Sequence, residues 1–585
     1  MRRREFLKGS GGAFAALLLS CPKSCVHPKT LGNACIGTAS TGSWRSGGTL
    51  GVLGVHAAIM PGGLVLVFGY NHAAHYFDEE AGFQLWDPGT RSPVDGGQSF
   101  TGYNPFCCGQ SFLGDGRLFV AGGYKSGDPF RASSADQVRL VSVSGTSVTW
   151  DSSFGKMQNI RWYPSLVTLG NGNGFIIGGS APFAADNWKD TNEDFELFDL
   201  ASNHLVRQSE SGKKLPEDGP FSYPDGDKRQ KVADGKRLAG LYPLTHLLPN
   251  VPNDDAPNGL LFVLTESFVR VYNPDTNAIV RTKQDAQGFR TWWTQASSVL
   301  LPLDIDSEGN GPKQVRIMIF GGGTLGVGGD DGKIAPALNF ADVWLYDVAN
   351  RNVSFESRLT LNRPRFMGDS ILLPDSNIVL VGGASTGFTN DNSGRVVTAE
   401  LIQPPIGTAG SATDMGNAST KRGYHAIALL LPDGSVFVTG GNGQWDSEIN
   451  ASNTPPEEQK SVEIFEPPYF TAGTRPQILS APTTIHTGDE IRVITDCADV
   501  QNIIVLTRHG ARTHSLDTDQ RLLRLQATRS TVSGGNVVLT GHMPHNPTYA
   551  PPGPYMLWIL RNCGNRDVRA GIPSTAKLVS VQNPM

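Results

Sequence analysis

The stretch LVLVFG at residues 64–69 is an apolar, β-branched run stopped by glycine, and equivalent phrases return at 118–123, 175–179, 317–322, 378–383 and 436–441. The run at 260–264 falls in the same rhythm without its glycines. Behind each lies an alternating strand, often ending in an aromatic residue and then an acid or amide: FQLWDP from Phe83, VRLVSV from Val138, FELFDL from Phe195, VRVYNP from Val269, VWLYDV from Val343, AELIQP from Ala399 and VEIFEP from Val462. Residues that alternate in this way line the two faces of a strand.

Units of roughly 55 residues are near the length of about 50 expected of kelch-type blades. A lone blade buries little, and closing the ring protects its edges, so the pattern predicts an all-β, seven-bladed kelch-type β-propeller. The wide gap between the third and fourth units holds 209–237, a segment dense in Lys, Asp, Gly and Pro that reads as a surface insertion. After Pro467 the rhythm stops, and short alternating strands separated by Gly and Pro turns predict a small immunoglobulin-like β-sandwich. The domains expected are 1–36, an export signal and linker; 37–470, the propeller; and 471–585, the sandwich.

Composition agrees with this outline. The 585 residues are 39% hydrophobic and 18% charged, with 69 Gly and 38 Pro, which favours short strands and turns over long helices. A net charge of -5 without a basic run in the body leaves no electrostatic footprint for nucleic acid. At the N-terminus, Arg2-Arg3-Arg4-Glu5-Phe6-Leu7-Lys8 precedes an apolar run too short to span a bilayer, the form of a twin-arginine export signal. Leu18-Leu19-Ser20-Cys21 has the form of a lipobox, so membrane association would come only through a lipid on Cys21. Ordinary cleavage nearby is the competing reading. In an exported chain Cys25 with Cys35, and Cys497 with Cys563, could form disulfides. Cys107-Cys108 matches no zinc spacing.

Four segments carry residues suited to chemistry. Phe106-Cys107-Cys108-Gly109, Arg161-Trp162-Tyr163-Pro164 and Gly423-Tyr424-His425 stand at matching points before the first strand of the second, third and seventh units. Thr513-His514 lies in the C-terminal domain. Taken singly, each has an ordinary packing role, and His509 would serve as well as His514. Three candidates at equivalent positions are not something packing requires.

FCCG, RWYPS, GYHAIALLLPDG and THSLDTDQR resemble, in order and spacing, the signature segments of the galactose oxidase and glyoxal oxidase family of copper radical oxidases. RPRFMGDSILLPD, VEIFEPPYF and YAPPGPYMLWIL resemble framework segments of its glyoxal-oxidase-like branch. The resemblance implies one copper ion, with Tyr163, His425 and His514 as equatorial ligands and Tyr424 as the axial one. It also implies a thioether between Cys107 and the ring of Tyr163. Cys107 rather than Cys108 follows the family pattern of Phe, Cys, any residue, Gly. Imidazole nitrogens with phenolate oxygens also suit Cu(II) on chemical grounds, whereas structural zinc favours Cys and His alone.

The implied activity is oxidation of small aldehydes or primary alcohols by dioxygen, with release of hydrogen peroxide. The other reading is an exported, non-enzymatic propeller that binds glycan or protein. Two points stand against a simple transfer from galactose oxidases. Ala181 occupies the place of their stacking tryptophan, leaving Trp162, Phe183 and Trp188 as alternatives, and Tyr424 and His425 cannot both face one metal from a regular strand. Gly423 eases the turn this requires.

Overall fold

The computed structural model describes residues 41–585 apart from 71–80, 101–102, 125–135, 181–191, 193, 208–209, 212–239, 266–267, 285–289, 291–294, 324–334, 388–393, 442–457, 533–534, 563–570 and 585. The N-terminal segment read as an export signal, Cys21, Cys25, Cys35, Cys563, Phe183, Trp188 and most of the polar insertion lie outside that set.

The protein is all-β, a seven-bladed propeller followed by a β-sandwich. Each glycine-ended run is the second strand of a blade, as in Val65–Tyr70, Gly174–Ser180 and Ile378–Ala384, and each aromatic-ended phrase is the third. The ring closes where Ser43–Thr49 pairs antiparallel with Ser461–Glu466 and becomes the outer strand of blade 7. The chain therefore begins and ends the propeller in one sheet, which removes a free edge.

The glycine pairs explain how neighbouring blades approach so closely. Gly178 and Gly440 adopt φ of +73° and +72°, and a Cβ there would lie 2.3 Å from the Gly240 carbonyl oxygen and 2.1 Å from that of Gly54, both in the next blade. Only glycine tolerates both demands. Within blades 3, 6 and 7 a buried arginine just before the inner strand ties the strands of its own blade together. Arg161, Arg365 and Arg422 donate to the carbonyls of Gly178 (2.6 Å), Gly382 (2.8 Å) and Gly440 (2.7 Å). Each also meets an acid of the third strand, Glu196, Glu400 and Glu463 respectively. Arg290 repeats the arrangement in blade 5 with the Gly321 carbonyl and Asp342.

In the sandwich, Leu522–Thr531 pairs with Val500–Arg508 over its first half and with Val537–His542 over its second, so one long strand joins the two sheets. Two short strands fasten this domain to the propeller. Ala511–Thr513 adds to the inner edge of blade 1 beside His56–Ile59, and Leu303–Ile305 of blade 5 pairs parallel with Leu522–Thr531.

Candidate metal centre

The site begins with a backbone feature shared by several blades. Cys107, Tyr163, Tyr242, Met367 and His425 each stand at or just before the start of an inner strand, with φ of 62°, 61°, 43°, 55° and 65°. Positive φ is uncommon for such side chains and costs energy. Neighbouring blades hold it in place. The Tyr163 N–H donates to the Cys107 carbonyl (3.0 Å), the Tyr242 N–H to the Tyr163 carbonyl (2.7 Å) and the Met367 N–H to the Gln295 carbonyl (2.7 Å). The left-handed residue drops out of the ladder, as the register shows for Tyr163 and Met367, and so breaks the blade's side-chain alternation.

Register shows how blade 7 offers two candidates. In blade 3, Pro164 faces Gly178 and Tyr163 stands just before it; in blade 7, Ala426 faces Gly440 and His425 takes that place. Arg161 is two residues before Tyr163, but Arg422 is three before His425. Tyr424 is thus an inserted residue, accommodated by a turn in which the Ala426 N–H donates to the Gly423 carbonyl at 3.0 Å. This turn is what the sequence required of Gly423-Tyr424-His425.

His514 reaches the axis on a plug from the C-terminal domain whose side chains address separate blades. Arg508 donates to the Phe112 carbonyl (2.9 Å) of blade 2, Arg512 to Asp369 (3.0 Å) of blade 6 and Arg521 to the Leu247 carbonyl (2.6 Å) of blade 4. Thr513 spends its single hydroxyl hydrogen on the Val55 carbonyl (3.0 Å), so at 2.6 Å it accepts from Nδ1–H of His514. Nε2 of His514 therefore keeps its lone pair, the tautomer a metal ligand needs. His509 instead meets the Ile59 carbonyl through Nδ1 at 2.8 Å, which makes it a structural histidine.

All five candidates converge. Ligand atoms of Cys107, His425 and His514 lie within 4.8 Å of one another, and the hydroxyls of Tyr163 and Tyr424 touch. His425 and His514 cross at 89° with ring centres 4.7 Å apart. Tyr163 is sandwiched by Trp162 at 4.0 Å and 14° and by Tyr242 at 4.3 Å and 26°. Trp162 is thus the described aromatic that stacks on Tyr163 from the set left open by the sequence. Cys108 turns away into a separate core with Phe68 and Phe112, while Cys107 shares a cluster with Tyr163.

Burial governs the protonation states. It pushes the Cys107 thiol and the Tyr163 phenol well above their ordinary ranges, with the neighbouring Cys107 and Tyr424 adding to the effect on Tyr163. Burial first, then His425 and His56, holds His514 well below its ordinary value, hence neutral. Two imidazoles with two phenols fit copper.

Sequence reasoning missed Tyr242 and His56. Tyr242-Pro243 repeats Tyr163-Pro164 at the same blade position and was a usable signal. His56, whose ring reaches the backbone of Cys107, had none.

Comparison with known proteins places this architecture. Residues 229–469 match the model of the glyoxal oxidase N-terminus, and 475–581 match the galactose oxidase-like early set domain, together more than half of the chain. The chain belongs to the galactose oxidase and glyoxal oxidase family of copper radical oxidases. Tyr424, His425 and His514 fall inside the matched segments; Cys107 and Tyr163 precede them. Among its relatives, the aldehyde oxidase GLOX1 of Arabidopsis thaliana is 25% identical over 81% of this chain and 71% of its own length. A galactose oxidase of Gibberella zeae is 26% identical over 92% and 70%. The fold is shared with a fungal alcohol oxidase solved in complex with copper, with a TM-score of 0.67 at 20% identity over 93% of this chain and 100% of that one.

Proposed function

We propose that this family member is a mononuclear copper oxidase that converts small aldehydes or primary alcohols with dioxygen and releases hydrogen peroxide. The observation that carries the proposal is the convergence of Cys107, Tyr163, Tyr424, His425 and His514 from three blades and the C-terminal domain at one buried point. Tyr163, Tyr424, His425 and His514 would hold the copper, and Cys107 would be joined through sulfur to the ring of Tyr163. Bound copper supplies one one-electron acceptor and lowers the pKa of a coordinated phenol.

The residues account for the remaining steps. Removing two electrons needs a second acceptor, and Tyr163 is the side chain able to serve. A thioether on its ring donates electron density and spreads the unpaired electron. Trp162 and Tyr242 cover both faces of that ring and keep water from it. The Tyr424 phenolate accepts the hydroxyl proton of an alcohol, or of the hydrate that an aldehyde forms with water, and Tyr163 takes the hydrogen atom from carbon. The contact between the two hydroxyls supports their acting together on one substrate carbon and its oxygen. Thr513 orients His514 throughout. The two hydrogens removed from substrate end in hydrogen peroxide.

Relatives with aldehyde, galactose and alcohol oxidase names support the substrate class without narrowing it. A peroxide assay on copper-loaded protein across glyoxal, methylglyoxal, glycolaldehyde and galactose tests the reading. Peroxide from the small aldehydes supports it, and no peroxide from any aldehyde or primary alcohol overturns it. We further propose export by the twin-arginine route on the strength of Arg2-Arg3-Arg4-Glu5-Phe6-Leu7-Lys8. An uncleaved N-terminus on protein recovered from its host would contradict that.

A further inference from the structure

Cys107-Cys108 offers two adjacent thiols to one tyrosine, and residues outside the proposed ligand set hold both ends of this dipeptide. His56, fully buried on the inner strand of blade 1, accepts the Cys107 N–H through Nε2 at 3.2 Å. That leaves the proton on Nδ1, which lies 3.7 Å from the Cys108 sulfur. The imidazole is fixed by stacking on Phe68 at 4.7 Å and 5°. At the other end, the Tyr242 hydroxyl donates to the Cys108 carbonyl at 2.8 Å while the Tyr242 ring lies on Tyr163.

Cys107 sits at φ +62°, a conformation that persists only when its surroundings impose it. With N–H and C=O both clamped, the two sulfurs diverge. That of Cys107 points to the site, 3.7 Å from Nε2 of His514, and that of Cys108 to the imidazole of His56. We infer that His56 and Tyr242 are positioning residues that select Cys107 over Cys108 as the sulfur joined to Tyr163, an inference resting on the radical-oxidase reading above. In the joining step the Cys107 S–H bond and one ring C–H bond of Tyr163 break and a C–S bond forms. The two protons and two electrons pass to dioxygen, giving hydrogen peroxide.

The test follows linkage in the full chain, purified metal-free, then given copper(II) in air and digested for peptide mapping by mass spectrometry. His56→Leu removes the acceptor, His56→Gln restores an oxygen near the Nε2 position, and Tyr242→Phe removes only the hydroxyl. Losing one buried hydrogen bond should slow Cys107 linkage about five- to tenfold in His56→Leu, with recovery to within about twofold in His56→Gln. A Cys108-linked peptide should appear in His56→Leu and in Tyr242→Phe. Should His56→Leu fail to fold, the ratio of Cys107 to Cys108 product in Tyr242→Phe decides alone. Linkage confined to Cys107 at the unmodified rate in these variants overturns the inference while leaving the oxidase reading standing. Absence of any linkage in the unmodified chain overturns that reading, and the inference with it.

Discussion

In blade 6 the chain leads into the inner strand through Arg365-Phe366-Met367, and in blade 7 through Arg422-Gly423-Tyr424-His425. Both arginines bind a glycine carbonyl of the second strand and an acid of the third, and both segments end in a left-handed residue. Blade 6 places a methionine there, packed with Phe366 and Ala384 against Tyr424. Blade 7 places a histidine there and has one more residue, a tyrosine. The frame is common to both, and a single inserted residue with a change of side chain separates packing from chemistry.

The most severe way to break the comparison is to give blade 7 the lead-in of blade 6, with Phe-Met in place of Gly423-Tyr424-His425. Two donors vanish, so copper measured by elemental analysis should fall below stoichiometric, a loss exceeding the roughly ten- to hundredfold typical of outer-shell changes. Next, Arg365→Met leaves Glu400 buried without its cation and should cost about 3–5 kcal/mol in denaturant unfolding, because a stranded buried charge is costly. Thr513→Val should weaken copper binding by about ten- to hundredfold in a competition titration, through loss of the partner that sets the His514 tautomer. Met367→Leu should cost less than about 1.5 kcal/mol and leave copper content unchanged, since a volume-conserving swap keeps the packing of blade 6.

A pH measurement sharpens the contrast between a site histidine and a framework one. His246 of blade 4 is buried against the Ser298 hydroxyl, and burial holds its pKa down to about 3. The unfolded chain binds its proton below about 6.5 while the folded chain stays neutral, so stability falls as pH drops through that value and levels off near 3. At pH 5 this group alone destabilises by about 2 kcal/mol relative to pH 7. The acid-induced drop in unfolding free energy should therefore shrink by a comparable amount in His246→Gln.

Much of this architecture was legible because repetition is visible in one dimension. The glycine-ended runs marked second strands, the aromatic-ended phrases marked third strands, and the matching positions of Cys107, Tyr163 and His425 followed from their place before each first strand. Relations needing the third dimension were not legible. Val55 and Thr513 are far apart in the chain, so the bond that sets the tautomer of His514 could not be read from either. The same holds for His56, whose side chain meets a backbone N–H and has no motif to betray it. Trp162 could not be ranked against distant aromatics until the ring it covers was placed.

The proposed radical chemistry depends most directly on the state of Cys107 and Tyr163. Intact-mass analysis of the full chain after exposure to copper and air measures it, with the metal-free chain as reference. Loss of two hydrogens, mapped to a joined pair of peptides carrying Cys107 and Tyr163, is the predicted result. An unchanged mass with Cys107 still open to alkylation would contradict it.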